Sequence, residues 1–595
     1  MVNLTINNKK ITVEKGTTIL EAAKRNNILI PHFCYLEDVH QIGSCRICVV
    51  EVEGAKNLQA SCMVEVQEGM VVHTNTERVR KARKVLYELM LSDHPKNCLS
   101  CRRNQNCELQ KLGELIQVDE SRFEGEMSSK PCDSSSPSIM RDLSKCVLCR
   151  RCVTVCNEIQ GVGVLNAQNR GFETTIGPGE DLQLNSVNCV YCGQCVAVCP
   201  VGALQERDSI EEVWQAIFDK NKRVVVQTAP AIRAALGEEF GYEPGTLVTG
   251  KMVTALKNMG FDDVFDTNFA ADLTIIEEGH ELLERIKNAF SGKEAVLPMI
   301  TSCSPGWIKY IEHTYPQELD HLSTCKSPHM MMGALVKSYY AQKLGIAPED
   351  IYVVSVMPCT AKKFEITRPE MKNNGCRNVD AVLTTRELAK MIKDSGVDFT
   401  KLEDSRFDSP LGLSTGAADI FAVTGGVMEA AIRTVYEVIT GRELPFDKLH
   451  VTPITGFEQI KTAELKIENP TEEYKYLDGV VLKIAVTSGL KGAAKLMNQI
   501  AEGNSPYHFI EVMGCPGGCI SGGGQPRLTN DEIRLKRLEA IYKEDEGKEL
   551  RKSHENPFIT KLYQEFLIKP LGHKSHELLH THYTDRSIRN RISSK

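Results

Sequence analysis

Cys146-Val-Leu-Cys149-Arg-Arg-Cys152-Val-Thr-Val-Cys156 and Cys189-Val-Tyr-Cys192-Gly-Gln-Cys195-Val-Ala-Val-Cys199-Pro200 are two copies of one spacing, C-x2-C-x2-C-x3-C. Runs of this kind hold a pair of 4Fe–4S cubanes, with the fourth cysteine of each run serving the other cluster. One cubane is therefore expected on Cys146, Cys149, Cys152 and Cys199, and the other on Cys189, Cys192, Cys195 and Cys156. Pro200 follows the second run as the pattern expects; Asn157 replaces it after the first. Zinc is the competing occupant, but two interlocked runs of four thiols have little other use.

Two further groups precede this pair. Cys34-x10-Cys45-x2-Cys48-x13-Cys62 offers four thiolates for a 2Fe–2S cluster, with a first gap longer than the plant-type spacing; structural zinc is the alternative. Gly43 and Ser44 place backbone N–H groups beside Cys45. His94-x3-Cys98-x2-Cys101-x5-Cys107 offers one imidazole and three thiolates, which suit zinc or a 4Fe–4S cluster. A neutral imidazole in place of a thiolate makes a cluster less negative and raises its potential. Together, residues 34–199 read as a wire of four clusters.

The remaining features agree. A chain of 595 residues predicts several domains. The net charge of −7 gives no reason to expect a nucleic-acid partner. There is no apolar run long enough to span a membrane, and the N-terminus lacks a signal pattern, so a cytoplasmic protein is expected. In a reducing compartment its 22 cysteines point to metal rather than to disulfides. Residues 1–77 read as a small β-rich domain: two short strands, a turn and a helix, then strands at ICVVEVEG and MVVHTN. A helix over 78–93 leads into the second group, and a polar linker lies within 108–140. From 209 onward strand-like runs (RVVVQTAP, DVFDTNF, VLPMITSC, IYVVSVMPC, KIAVTSG) alternate with helical text, which predicts mostly parallel sheet under helical cover.

Three motifs stand in that half: Thr301-Ser-Cys-Ser-Pro-Gly-Trp307, Met357-Pro-Cys-Thr-Ala-Lys-Lys-Phe-Glu365, and Glu511-Val-Met-Gly-Cys-Pro-Gly-Gly-Cys-Ile-Ser-Gly-Gly-Gly-Gln-Pro526. Each puts cysteine at the end of a strand-like run, where open α/β sheets place their sites. On spacing alone they make a scattered cysteine site. They closely resemble the signature segments of the FeFe (iron-only) hydrogenases, and the order of cluster groups matches the larger members of that family along the whole chain.

The resemblance implies an α+β and α/β multidomain protein. Its parts are a β-grasp 2Fe–2S ferredoxin-like domain (1–77), a 4Fe–4S domain with one His and three Cys ligands (78–120), a bacterial-type two-cubane ferredoxin domain (121–208), an α/β catalytic domain (209–535) and a helical small-subunit-like segment (536–595). It implies one 2Fe–2S cluster, three 4Fe–4S clusters and an H-cluster, a cubane joined through a cysteine sulfur to a two-iron CO/CN dithiolate subsite. By position, Cys359, Cys515 and Cys519 look like its ligands, with Cys519 bridging. Lys362 looks like the residue that hydrogen-bonds a cyanide, while Met357 and Met513 form soft walls and Pro230 lies near the subsite. The family's first motif carries two adjacent cysteines, a proton relay and then a ligand; here the pair is Cys303-Ser304. Either Cys303 relays and Ser304 stands at the ligand position, or a local shift makes Cys303 the ligand. Ala231 stands where relatives often have Ser. The implied proton route is Cys303, Glu278, Ser323, Glu281 and then the mouth near Arg285, the two glutamates sharing a helical face.

Cys132, Cys325 and Cys376 are left over, and Cys325 lies two residues beyond Ser323. His576 and His580 have ligand-like i, i+4 spacing but no third partner legible in sequence. The reading is reversible H2 oxidation and proton reduction, in an NAD(P)-linked or electron-bifurcating hetero-oligomer whose flavin or NAD(P)H-binding, iron–sulfur or ferredoxin partners take or supply the electrons. The chain shows no dinucleotide fingerprint of its own. The first two cluster modules also resemble the electron-gathering end of respiratory complex I. A low-turnover H2 sensor and a purely electron-carrying complex I-like subunit are the alternatives.

Overall fold

The structure, a computed structural model, describes residues 1–587 apart from Ser129, Pro131, Thr452, Pro453, Thr455 and Leu528. Two residues of the expected linker and the last eight of the expected C-terminal segment thus lie outside the described residues. The chain forms two compact units. One comprises Met1–Ile159, Gly163–Val187 and Val198–Gln205; the other comprises Gln160–Val162, Asn188–Ala197 and Glu206–Lys595. All 22 cysteines are free of disulfides. Among the described residues no helix is long and apolar enough to cross a membrane.

The first unit opens on Val2–Ile6 paired antiparallel with Lys9–Val13. Asn7 and Asn8, both at positive φ, make the turn, as a tight hairpin demands. Val2, Leu4 and Ile6 alternate inward onto one core. The helix Ile19–Arg25 starts at a Thr18/Glu21 capping box. The sheet runs in the order Lys9–Val13, Val2–Ile6, Val71–His73, Val49–Val52, Gln59–Ala60. The helix Glu77–Ser92 follows, capped by Thr76. Its buried Arg83 donates to the carbonyls of Ile47 (3.1 Å) and Val49 (2.7 Å), bracing the segment that carries Cys48.

The second unit is built on two four-stranded sheets rather than one. The first is all parallel, in the order Asp263–Asp266, Arg223–Thr228, Ile351–Met357, Ala381–Thr384. Val224, Val225 and Val226 are all buried, which is why that strand reads as an unbroken apolar run. In the second sheet Met299–Ile300, Phe509–Met513 and Val481–Ser488 are parallel, and Ile460–Lys466 closes the edge antiparallel. That edge strand turns Thr462, Glu464 and Lys466 outward and was not legible as a strand. The helix Thr267–Phe290, capped by Asp266, buries Glu277, Glu278 and Glu281.

The helix Asp531–Glu546 is tied to the helix Gly426–Thr440 by a fully buried ionic group. Arg433 reaches Glu429 at 2.7 Å and Asp545 at 2.9 Å, with no exposure on any of the three side chains. Replacing one partner strands the others' charges in a dry interior. Arg433→Met is expected to destabilise the fold by about 3–5 kcal/mol, read as a lowered midpoint in chemical denaturation. The same change at Lys475, whose pair with Glu472 is exposed, is expected to leave the midpoint in place.

Candidate functional site

Loops leaving the carboxyl ends of strands meet in one cavity of the second unit. Pro230 follows Arg223–Thr228, Cys303 and Ser304 follow Met299–Ile300, Cys359 follows Ile351–Met357, and Cys515 and Cys519 follow Phe509–Met513. Met357 and Met513, the last residues of their strands, line the same cavity. Ala231 is fully buried beside Pro230, and its carbonyl accepts from Gln525 Nε2 at 3.1 Å. The glycines after Cys515 let backbone crowd backbone. Gly518 takes φ +92°, and a Cβ there would stand 2.7 Å from the Thr424 nitrogen. At Gly522 a Cβ would collide with the Pro358 carbonyl.

The cavity holds a localised cation. Lys362 Nζ donates to the Cys303 carbonyl at 3.0 Å and lies 2.9 Å from Glu365. Glu365 also lies 2.7 Å from His329 Nε2. Burial works against the Glu365 charge, but Lys362 and His329 hold its carboxyl well below the usual range. Burial pushes His329 down to about 4, which leaves its ring neutral. Burial pushes the thiols of Cys359, Cys515 and Cys519 up, the last to about 12. Three converging sulfurs that burial keeps protonated become anions only against a bound cation, so this soft donor set fits an iron–sulfur group.

Cys303 and Ser304 point to different tasks. Burial raises the Cys303 thiol, and the nearby Glu278 adds to the effect. Ser304 Oγ instead accepts from the Gly514 N–H at 3.1 Å, one residue before Cys515. Burial pushes Glu278 up to about 8, with Glu281 adding and a Ser323 hydrogen bond opposing. Ser323 Oγ donates to Glu281 at 3.0 Å, and Glu281 meets Arg285 at 2.7 Å. Arg285 is pinned by the carbonyls of Asp320 (2.9 Å) and Leu322 (2.8 Å). Of the expected series, Ser323, Glu281 and Arg285 are thus joined by direct contacts, while Cys303 lies near enough to Glu278 to be influenced by it.

The Cys189–Cys195 loop belongs to this second unit and packs beside the cavity. Thr360 Oγ1 donates to the Tyr191 carbonyl at 2.7 Å, and Gln194 Nε2 donates to the Ser521 carbonyl at 2.8 Å. Cys192 is close enough to Cys515 to feel its charge. A Cβ on Gly193 would collide with Thr360 Oγ1, so only glycine permits this approach. The two cysteine runs share an unusual backbone: Leu148 and Arg150 take positive φ, and so do Tyr191 and Gly193 at the matching positions. Side chains rarely accept that conformation, and its repetition marks loops shaped to wrap a bound group.

The first unit fits clusters too. Cys146, Cys149, Cys152 and Cys199 line one small cavity. His94, Cys98, Cys101 and Cys107 line another. There His94 Nδ1 is buried with no hydrogen-bond partner among the described residues, an orphan that a metal would satisfy. Cys48 and Cys62 bring their sulfurs to 3.3 Å, and Cys45 Sγ accepts from the Cys34 N–H at 3.3 Å. The Cys34 and Cys45 side chains also meet, so the four sulfurs fall into two pairs, an arrangement that fits a two-iron cluster.

Two residues of the site carry no assignment from the sequence. Glu511 accepts from the N–H groups of Gly425 (2.6 Å) and Met428 (2.7 Å), fixing the Cys515 strand to a helix N-terminus. His329 orders Glu365 behind Lys362. Glu511 stands in a quoted motif with nothing to mark its partner, and His329 has no motif at all.

Comparison with known proteins finds five family matches along the chain. Residues 222–523 match the iron only hydrogenase large subunit, C-terminal domain, and residues 531–586 the iron hydrogenase small subunit. Residues 1–77 match a 2Fe-2S iron-sulfur cluster binding domain, 83–122 the NADH-ubiquinone oxidoreductase-G iron-sulfur binding region, and 145–203 a 4Fe-4S dicluster domain. The chain is 51% identical to the NADP-reducing hydrogenase subunit HndD of Solidesulfovibrio fructosivorans, over 98% of this chain and 99% of that protein. It is 40% identical to iron hydrogenase 1 of Clostridium pasteurianum, over 98% of this chain and all of that protein (100%). A solved variant of the [FeFe]-hydrogenase HydA1 from Chlamydomonas reinhardtii superposes with a TM-score of 0.57 at 42% identity, covering 63% of this chain and 99% of that one. With its cysteine loops gathered at the ends of two sheets and iron–sulfur domains ahead of them, the chain belongs to the iron-only hydrogenase large subunits, oxidoreductases that act on H2.

Proposed function

We propose that the protein interconverts H2 with protons and electrons reversibly, moving protons along Cys303, Glu278, Ser323 and Glu281 and electrons past Cys192. The observation that carries this reading is the single cavity in which three cysteine loops, a fixed cation and the inner end of that acid line meet. Cys359, Cys515 and Cys519 would hold the family's H-cluster, with Ser304 at the fourth corner. That group, when bound, supplies the redox-active irons at which H2 is split or formed.

The chain's own residues do the rest. Lys362 is held by Glu365 and the Cys303 carbonyl, a position from which its ammonium would hydrogen-bond an anionic ligand of the bound group. Met357, Met513 and Pro230 keep the cavity apolar and exclude water. Cys303 takes or gives the proton nearest the irons and exchanges it with Glu278. Glu278 exchanges with Ser323, whose hydroxyl donates to Glu281, and Arg285 steadies Glu281 at the outer end. The close seat of Gly193 against Thr360 gives electrons a short step between the Cys189–Cys195 loop and the Cys515 side of the cavity. The wire beyond would comprise one 2Fe–2S cluster on Cys34, Cys45, Cys48 and Cys62, and 4Fe–4S clusters on the His94 group and on the two cysteine runs. Domain boundaries near 77, 120, 208 and 535 fit these groups. A flavin or NAD(P)H-binding partner in a hetero-oligomer suits the relative named an NADP-reducing hydrogenase subunit. A reducing compartment such as the cytoplasm suits free thiols.

Anaerobically matured protein is expected to oxidise H2 with a viologen dye and to evolve H2 from reduced viologen. A full set of clusters without turnover would sink the reading and favour a sensor. Glu278→Gln should lower turnover in both directions by roughly 100- to 10,000-fold with iron content unchanged. Since Glu278 is pushed up to about 8, it is a proton donor below that pH and an acceptor above it. Evolution should therefore fall, and oxidation rise, as pH crosses that value, and Glu278→Gln should abolish both trends. Ser304→Cys should change the EPR signal of the cubane while leaving the other clusters' signals alone; an unchanged spectrum would remove Ser304 from the fourth corner.

A further inference from the structure

At the outer end of the proton line, one of its members shares a cluster with two side chains that the line does not use. Glu281, Cys325 and His580 come from three separate segments, and all are buried. A carboxylate oxygen, the thiol sulfur and an imidazole nitrogen lie within 4.8 Å of one another. The backbone sets this up. Cys325 and His580 face each other across an antiparallel bridge. On either side, Lys326 N–H donates to the Leu579 carbonyl and Thr581 N–H to the Thr324 carbonyl, both at 2.7 Å. Glu281 reaches the same spot from the helix Thr267–Phe290, held by the Thr324 N–H at 3.1 Å.

What lies behind the imidazole is a second, independent indication. His580 Nε2 stands 3.2 Å from the carboxylate of Glu277. Glu277 is itself fixed by the Tyr563 hydroxyl at 2.5 Å and the Leu571 N–H at 2.9 Å. A carboxylate behind a histidine, itself held by further donors, is the arrangement that orients metal-binding imidazoles and fixes their tautomer. The donor set is one soft sulfur, one imidazole and one carboxylate, a mixture suited to a borderline cation such as Zn²⁺. The charge balance also favours a cation: Glu277, Glu278 and Glu281 crowd the Cys325 thiol, and Arg285 is the fixed positive charge paired with Glu281.

We infer that Glu281, Cys325 and His580 form a binding site for a zinc-class divalent cation, separate from the iron centres, and that its occupation takes Glu281 out of the proton line. The second clause rests on the proton line proposed above; the first does not. Binding exchanges the Cys325 S–H bond for a sulfur–metal bond and releases that proton; no electron moves. Tetrahedral zinc with bonds of roughly 2.0–2.3 Å needs the three donors drawn closer than they stand, by about 1 Å, which rotation of the Glu281 and Cys325 side chains supplies. Thr324 Oγ1, now 2.8 Å from His580 Nδ1 and 3.3 Å from Glu281, would give up or share those contacts.

The test uses iron-loaded protein equilibrated with a slight excess of zinc chloride, desalted, and compared with Cys325→Ala treated alike. Zinc content and the zinc K-edge spectrum report binding without interference from iron. The expected result is one more tightly held zinc in the parent than in the variant, with one sulfur and a nitrogen or oxygen shell. Zinc should slow the parent's H2 oxidation by roughly 100-fold relative to its own zinc-free rate, and the variant's hardly at all. Equal retention with equal spectra in both proteins, or no retained zinc in either, overturns the site. Zinc held through Cys325 with turnover unchanged upholds the site and instead removes Glu281 from the proton line.

Discussion

Lys362 is a cation kept in the interior, and the catalytic half of the molecule is arranged around the need to keep it there. An ammonium leaves water at a cost of several kcal/mol unless partners replace its hydration. Glu365 and the Cys303 carbonyl do so, and His329 in turn restrains Glu365. These residues lie on three different chain segments. The charge can therefore persist only if the ends of both sheets are brought into register, which is the same condition that gathers Cys359, Cys515 and Cys519. The same convergence thus seats the fixed positive charge beside three thiols that burial keeps protonated until a cation binds.

The acid line solves the opposite problem. Burial makes Glu278 reluctant to ionise, whereas Arg285 sits against Glu281 nearer the surface. Two carboxyls three residues apart on one helix therefore face different surroundings, which suits the proton route proposed above. Their helix also buries Asn268, Asp272 and Thr274, so inward polar residues alone do not single out the two glutamates. Its starting cap is Asp266, and the inward glutamates sit among Ile275, Leu282 and Leu283.

What could be read in the sequence follows from the range of the forces involved. The apolar run Val224–Val226 and the hairpin at Asn7-Asn8 are local statements and were legible. So were the cysteine runs, because iron–sulfur chemistry imposes short spacings. The edge strand Ile460–Lys466 was hidden, since one face is solvated and its charges resemble those of a surface helix. His576 and His580 have the spacing of a pair, yet the structure sets His580 against Glu281 and Cys325, which come from segments far back in the chain. Glu511 and His329 were opaque for the same reason: their meaning lies in partners supplied by distant segments. The parting of Cys303 toward Glu278 and Ser304 toward Gly514 is a matter of side-chain direction, which adjacency in sequence cannot convey.

The excursion of Asn188–Ala197 into the catalytic unit bears on how such a protein can be divided. Its neighbours on either side in the chain, up to Val187 and from Val198, belong to the other unit, so no single cut separates the two. A fragment beginning at residue 209 would keep every cysteine of the three signature motifs but lose Tyr191 and Gln194. The hydroxyl of Thr360 and the carbonyl of Ser521 would then face solvent where they now have partners. In this chain the module boundary drawn by cluster motifs and the boundary drawn by packing are different lines, and recombination with another electron-transfer domain would have to respect the second.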